Sequence, residues 1–549
     1  MLEGIVPWPE ELATRYREAG LWEDLTVTAM VERTARRTPN KTAIIAGDRH
    51  ITYAALKSDV DRLAAALHAR GLRADDRVVV QLPNIPEFVT VYLALNRIGA
   101  IPVMALRAHR HAEVRHFIRT SGAVAYVIAD AIGNFDYRTM AAEMQSEFPA
   151  LAHLIVAGVA HAGQVSLQGL IDAFDESASA AAEAWLTNMR IDPMAVSTML
   201  LSGGTTSMSK LIPRTHNDYV LNARLCGAAA GFGPDTVFMA ILPLGHNYNL
   251  ASPGILATFY YGGTVVIAPS SDADAIFCLV ERERVSVIAA AVPLISNWLN
   301  SDVPQRFDLS SLKVVQNGGA RLPPELRARL RERLGCTPQE IYGTAEGLIN
   351  MTRLDDPDDF LLESSGAPVS DFDEIKVVDD SDREVADGES GELLTRGPYT
   401  IRGYYNAPDK NREAFTADGF YRMGDVVKKR GRTVYTEGRR KDLINRGGEK
   451  ISCEEVENLI FSHPGVKTVV LVAMPDPVFG EKACACVIMK PGETLTLEEL
   501  TTFLRTRQIA SFKLPERLEV MEQFPISPVG KIMKRELREI VAAKVTGRA

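Results

Sequence analysis

The chain has 549 residues, 46% of them hydrophobic and 24% charged, with a formal net charge of −9. That length exceeds one ordinary core and predicts two or more domains, with the composition of a globular protein rather than a disordered one. The acidic balance argues against a general nucleic-acid binder, and no apolar run approaches the roughly 20 residues that cross a bilayer.

The N-terminal MLEGIVPWPEE lacks the basic and apolar regions of a signal peptide. Six cysteines, at 226, 278, 336, 453, 484 and 486, form no CxxC pair. Cys484 and Cys486 alternate within a strand-like run and would pack on one face. A reduced cytoplasmic protein is predicted, with no membrane and no nucleic-acid partner.

In chain order, residues 1–25 are expected to be irregular. Residues 43–45 then read as a strand, and 53–70 as a helix capped by Thr52. Residues 77–82 are a β-branched run, and 87–98 a helix opened by Pro86. Residues 100–104, 113–120 and 123–129 continue the theme, and 177–184 form an Ala/Ser-rich surface segment. Strands at 196–201, 237–242, 264–267, 285–290 and 312–316 follow. Strands alternating with helices predict an α/β architecture: a large N-terminal domain of helix-covered β-sheets.

Near residue 427 the character changes. Residues 428–450 hold nine Lys/Arg against three Asp/Glu. Ser452 to Glu455 reads as a capping box opening a helix that stops before Pro464, and Thr496 to Glu499 as a second one. Between them, strands at 466–474 and 482–489 flank a turn at Pro475-Asp-Pro. This predicts a small mobile α+β C-terminal domain over 441–549, following an N-terminal domain over 1–440.

Within this frame, residues 201–210 read LSGGTTSMSK. Two glycines let backbone N–H groups turn toward one point, and the hydroxyls and Lys210 can surround a polyanion. No Gly precedes Lys210, so this is not a Walker A loop; a solvated Ser/Gly loop is the alternative. Five further stretches count with it. They are Gly318-Gly-Ala-Arg, Ile341-Tyr-Gly-Thr-Ala-Glu-Gly347, Tyr421-Arg-Met-Gly-Asp425, the basic junction Glu437 to Lys450, and Pro528-Val-Gly-Lys531.

In this order and spacing the motifs resemble the adenylate-forming superfamily of acyl-CoA synthetases, peptide-synthetase adenylation domains and luciferases. Closer resemblance, to stand-alone 2,3-dihydroxybenzoate or salicylate–AMP ligases of siderophore biosynthesis, is carried by four stretches. These are Trp8-Pro-Glu-Glu with Arg15-Tyr-Arg and Trp22, Lys210 to Tyr219, Gly245-His-Asn-Tyr248, and Tyr342 to Leu348.

The resemblance implies two half-reactions: an aryl acid attacks Mg-ATP to give aryl-AMP and pyrophosphate, then a phosphopantetheine thiol on an aryl carrier protein displaces AMP. It implies that Ser202, Gly203, Gly204, Thr205, Thr206 and Lys210 hold the β- and γ-phosphates, although Ser207 and Ser209 stand where the commoner loop has Gly and Pro. Tyr342 would stack on adenine, in a nucleotide pocket shared with Gly318, Gly319, Ala320, Gly343 and Thr344. Glu346 would ligate Mg2+, Asp425 would accept the ribose hydroxyls, and Arg439 would reach the ribose or α-phosphate side.

Lys531 would be the catalytic lysine, bridging carboxylate and α-phosphate, with His246 beside it and Lys441 as the hinge. His246, Asn247, Tyr248, Ser252 and Ile349 would line the aryl pocket, Ser252 favouring 2,3-dihydroxybenzoate over salicylate. An aryl-CoA ligase and a catalytically silent adenylate-binding protein are the competing functions. A monomer and a homodimer are both open.

Overall fold

The computed structural model of the chain describes residues 2–174, 176–202, 209–447, 449–527 and 531–546. Two large sheets carry most of it. The first has nine strands in the order Ala367–Pro368, Gly347–Met351, Thr337–Thr344, Val314–Gly318, Val287–Ala290, Val237–Ala240, Thr264–Ile267, Thr42–Ala46 and Arg49–Thr52. From Thr337–Thr344 to Thr42–Ala46 the neighbours are parallel, and the outer strands are antiparallel. The strands at the middle of this sheet are buried on both faces; every residue of Val287–Ala290 and Thr264–Ile267 is buried.

The second sheet has seven strands: Leu211–Thr215, Val196–Leu201, Ile101–Met104, Arg77–Gln81, Ala125–Ala129, His153–Ala157 and Val165–Ser166. All its pairings are parallel except that between Val196–Leu201 and Leu211–Thr215. A four-stranded antiparallel sheet follows, Glu374–Val378, Ser390–Arg396, Tyr421–Arg430 and Thr433–Arg439. The last sheet joins Glu449–Ile451, Ile444–Arg446, Gly480–Met489 and Val466–Asp476, with Arg517–Val520 parallel to Gly480–Met489. Among the described residues no helix is long and apolar enough to cross a membrane.

Local signals act as expected at most helix starts. Thr52 accepts a hydrogen bond from Ala55 N–H at 3.1 Å and opens Tyr53–Ala69. Pro86 is the first residue of Pro86–Arg97. Thr496 and Glu499 form a complete capping box, whereas at Ser452 only half forms. Ser452 Oγ accepts from Glu455 N–H at 3.3 Å, but the Glu455 carboxylate turns to Lys513 Nζ, at 2.6 and 2.7 Å.

Two expectations need correction and a third is refined. Residues 1–25 contain a helix, Glu10–Glu18. Tertiary packing holds it: the rings of Trp8, Tyr16 and Trp22 meet edge-on at 5.1 to 5.9 Å, and Trp22 Nε1 donates to Pro398 O at 3.0 Å. The Ala/Ser-rich segment is on the surface as expected, exposed at Ala181, Glu183 and Ala184, but it belongs to a helix, Glu176–Asn188, that buries Ala182 and Leu186 and sets the Trp185 ring 4.4 Å from that of His68. The C-terminal hairpin turns later than Pro475, because Asp476 Oδ1 accepts the N–H groups of Val478 and Phe479, both at 2.9 Å.

One apolar core runs from the helices behind the first sheet, including Phe277 and Trp298, into the C-terminal unit at Ile444, Ile451, Val456 and Leu471. Ser296 Oγ donates to Lys467 O across that boundary at 3.3 Å. Cys484 and Cys486 pack on Val470, Val472, Leu537 and Val541, and all six thiols are free.

Candidate active site

Just beyond the strand Val196–Leu201, Ser202 is zipped to Lys210. Ser202 N–H donates to Lys210 O at 3.0 Å, and Lys210 N–H donates to Ser202 Oγ at 2.9 Å. His116 Nε2 meets Ser209 O at 2.8 Å, bracing Ser209 from the helix His111–Ser121. Gly203, Gly204, Thr205 and Thr206 lie outside the described residues. Burial pulls the Lys210 ammonium below its usual range, with Glu346 opposing. Lys210 Nζ rests 4.3 Å from the centre of the Tyr404 ring.

The hairpin Thr337–Thr344 to Gly347–Met351 presents the next group. Tyr342 Oη donates to Asp425 Oδ2 at 2.9 Å, and Arg439 Nε lies 3.2 Å from Asp425 Oδ1. Burial raises the Asp425 pKa; Arg439 and the Tyr342 hydrogen bond oppose it. Gly343 pairs with Ile349, which is buried. Glu346 is buried and accepts from Tyr404 Oη at 2.8 Å through Oε1. Thr344 Oγ1 and Thr400 Oγ1 are buried with no partner.

No group of three His, Cys, Asp or Glu able to hold a metal occurs among the described residues. A lone carboxylate flanked by unspent hydroxyls fits an ion that takes its remaining oxygens from a nucleotide and water, which is the habit of Mg2+.

Gly318, Gly319 and Ala320 leave the end of Val314–Gly318. Their loop is braced from below: Asn317 Nδ2 donates to Ala320 O at 2.7 Å and to Glu340 Oε2 at 3.0 Å, and buried Arg327 pairs with Glu340 at 3.0 Å. Glycine is required twice. A Cβ on Gly318 would come 2.9 Å from the Tyr248 ring. At Gly319 φ is +87°, and a Cβ would lie 2.8 Å from Lys531 Cε.

The stem of Lys531, from the far end of the chain, therefore crosses Gly319 inside the larger unit. Burial, reinforced by Arg439 and opposed by Asp425 and Glu346, brings its ammonium down to about 8. Lys441 belongs to the short turn Arg440–Asp442, which Cys453 Sγ fixes by donating to Asp442 O at 3.1 Å; Lys441's side chain lies outside the described atoms.

His246 caps the helix Asn247–Ala251, its Nδ1 accepting from Tyr248 N–H at 3.3 Å. Burial, then Lys531, pushes its pKa down to about 3, so the ring is neutral with its proton on Nε2. Asn222 Nδ2 donates to Ala251 O at 2.8 Å and to Ser252 Oγ at 3.0 Å. Because a carbonyl only accepts, the Asn222 amide has one orientation. Asn247 Oδ1 accepts from Tyr219 Oη at 2.9 Å, and its Nδ2 donates to Ser252 Oγ at 3.2 Å. Ser252 Oγ thus has both lone pairs engaged and only its proton to offer. Tyr248 and Ile349 are buried, packed against Gly318 and Gly343 respectively.

The structure brings Lys210, Tyr342, Glu346, Asp425, Arg439, Lys531 and the His246–Ser252 stretch into one region. Sequence reading passed over Tyr404, Asn222, Arg214 and the Glu340–Arg327 pair. Arg214, Asp218 and Asn222 recur every fourth residue, and that helical spacing was the available signal. Arg214 donates to Asp218 Oδ1 at 2.8 Å and to Ala345 O at 2.9 Å, tying the pocket to the Glu346 hairpin. Tyr404 carried no comparable mark.

Residues 31–405 match the family described as AMP-binding enzyme, and residues 455–531 match the AMP-binding enzyme C-terminal domain. A 2,3-dihydroxybenzoate-AMP ligase of Bacillus subtilis is 45% identical over 99% of both chains. A salicylyl-CoA synthase / salicylate adenylyltransferase of a Streptomyces species is 44% identical over 99% of this chain and 98% of its own. The apo structure of Mycobacterium smegmatis MbtA superposes with a TM-score of 0.75 at 38% identity, covering 98% of each chain.

Proposed function

The chain belongs to the AMP-binding enzyme family, and we propose that it activates a ring-hydroxylated benzoate, 2,3-dihydroxybenzoate first, as the aryl adenylate. It then passes the aryl group to the phosphopantetheine thiol of an aryl carrier protein in siderophore-type biosynthesis. The observation that carries this reading is Lys531 lying over Gly319 beside His246, Asp425 and Glu346.

Adenylation requires two anions to meet, a carboxylate and a triphosphate, so positive charge and fixed donors must be in place beforehand. Lys210 and the 202–206 loop hold the terminal phosphates. Tyr342, Gly318, Gly319, Ala320, Gly343 and Thr344 receive the base and sugar, and Asp425 takes the ribose hydroxyls once Arg439 gives way. Glu346 holds Mg2+, which when bound neutralises phosphate oxygens. Lys531 reaches the point where the acid's carboxylate meets the α-phosphate.

The reaction also requires that lysine to leave. The four-stranded sheet ends at Arg439 and the next pairing starts at Ile444, which supports a domain boundary between 440 and 441 and a hinge at Lys441. Withdrawal of Lys531 over this hinge opens a path for the thiol.

The pocket's polarity supports the substrate class. Ser252 offers only a proton, and Asn247 Nδ2 has a second one to give. A ring oxygen whose own proton is drawn to a neighbouring oxygen is the matching acceptor, as in an ortho-hydroxybenzoate. Salicylate meets the same condition and is the second candidate. Free coenzyme A as acceptor is the second reading of the thiolysis step, supported by the similarity to the Streptomyces salicylyl-CoA synthase.

ATP–pyrophosphate exchange across a benzoate panel tests the proposal, with exchange expected for 2,3-dihydroxybenzoate and salicylate. Exchange with fatty or amino acids alone would refute it. Comparing thioester yield with holo-carrier protein and with coenzyme A separates the acceptors.

A further inference from the structure

Tyr404 stands where the phosphate-loop lysine and the buried carboxylate meet, and no role has been assigned to it so far. It is 1% exposed. Its hydroxyl donates to Glu346 Oε1 at 2.8 Å, while its ring face carries Lys210 Nζ at 4.3 Å. A phenol has one proton, and Glu346 takes it. The Tyr421 hydroxyl, 3.2 Å away, is therefore the donor to Tyr404 Oη.

The backbone around Tyr404 is equally committed. Asn411 brackets it, Oδ1 accepting from Tyr404 N–H at 2.7 Å and Nδ2 donating to Tyr404 O at 3.0 Å. One residue on, Tyr405 N–H donates to Leu211 O at 3.0 Å; three residues back, Ile401 N–H donates to Glu346 O at 2.8 Å. The segment 401–405 thus stitches the Lys210 strand to the Glu346 hairpin.

An ammonium and a carboxylate on opposite parts of one tyrosine, partly shielded from water, attract each other. Tyr404 gives each a different surface: the lysine takes the ring face and the carboxylate takes the hydroxyl.

We propose that Tyr404 is a positioning residue that keeps Lys210 and Glu346 from neutralising each other, leaving the lysine for phosphate and the carboxylate for the divalent cation. Tyr421 acts behind it by fixing the direction of the Tyr404 hydroxyl. This rests on the roles given to Lys210 and Glu346 above.

The test is equilibrium binding of a non-hydrolysable ATP analogue to the full chain, titrated over Mg2+, alongside pyrophosphate exchange. Tyr404→Phe keeps the ring and loses the donor. It is expected to raise the half-saturating Mg2+ about tenfold, the scale of a hydrogen bond to a charged group, and to leave the aryl-acid KM unchanged. Tyr404→Leu loses the ring as well and is expected to weaken analogue binding at saturating Mg2+ too. Tyr421→Phe, the milder change, is expected to shift Mg2+ dependence in the same direction by about threefold, the low end of a neutral hydrogen bond.

An unchanged Mg2+ dependence in Tyr404→Phe overturns the inference if Glu346→Gln shifts it. If Tyr404→Phe fails to fold, an unchanged dependence in Tyr421→Phe does so instead. If Glu346→Gln and Lys210→Ala both bind Mg2+ and analogue normally, the underlying site assignment has failed.

Discussion

Ser252→Ala probes the pocket most sharply. Ser252 Oγ accepts two buried N–H groups, from Asn222 at 3.0 Å and Asn247 at 3.2 Å. Alanine leaves both without an acceptor, and a buried unmet donor costs about 1–3 kcal/mol, so a stability loss of about 2–6 kcal/mol is expected in denaturant melts. On the proposed reading, the same change removes one of the two protons, Ser252's and Asn247's, offered to a ring oxygen. A neutral hydrogen bond is worth about 1 kcal/mol, so kcat/KM for 2,3-dihydroxybenzoate should fall roughly five- to tenfold relative to that for benzoate, which has no ring oxygen to lose. The assay is pyrophosphate exchange with each acid at saturating ATP. An equal fall for both acids would show that Ser252 supports the packing without touching a ring substituent, and the polarity argument would be wrong.

Two further changes have signed outcomes. Gly319→Ala forces a side chain onto a backbone at φ +87° and sets a methyl 2.8 Å from Lys531 Cε. A loss of about 1–2 kcal/mol in stability is expected, with slower pyrophosphate exchange and unchanged thioester formation from supplied aryl-AMP; equal slowing of both steps would contradict the placement of Lys531. Asp373 is fully buried, accepts from Tyr399 Oη, and is pushed up to about 7 by burial. Its folded pKa lies above the unfolded value near 3.8, so its contribution is fully present below pH about 4 and lost as pH rises through 7. The full loss would be about 4 kcal/mol, at about 1.4 kcal/mol per unit. Asp373→Asn keeps an acceptor for Tyr399 and should flatten the fall in melting temperature between about pH 4 and 7; an unchanged slope would place the titrating group elsewhere.

The sheets were legible because their strands are short β-branched runs separated by helices of the right period, as at 264–267 and 287–290, and because Thr52, Pro86 and Thr496 mark helix starts chemically. The helix Glu10–Glu18 was not, since its stability comes from ring contacts with Trp8 and Trp22 that no local pattern encodes. Within the site, residues in Gly-rich or charged motifs announced themselves. Asn222 and Tyr404 did not, because each acts through partners far away in sequence: Asn222 on Ser252, Tyr404 on Glu346 and Lys210. Motif reading finds groups that face the ligand more readily than the groups that aim them.

The most direct measurement uses Lys531→Ala, with both half-reactions assayed on the same preparation. Pyrophosphate exchange should be nearly abolished, while transfer of the aryl group from pre-formed aryl-AMP to holo-carrier protein stays close to wild type. Loss of both steps together, or exchange that survives the substitution, would contradict a lysine that enters for the first reaction and withdraws for the second.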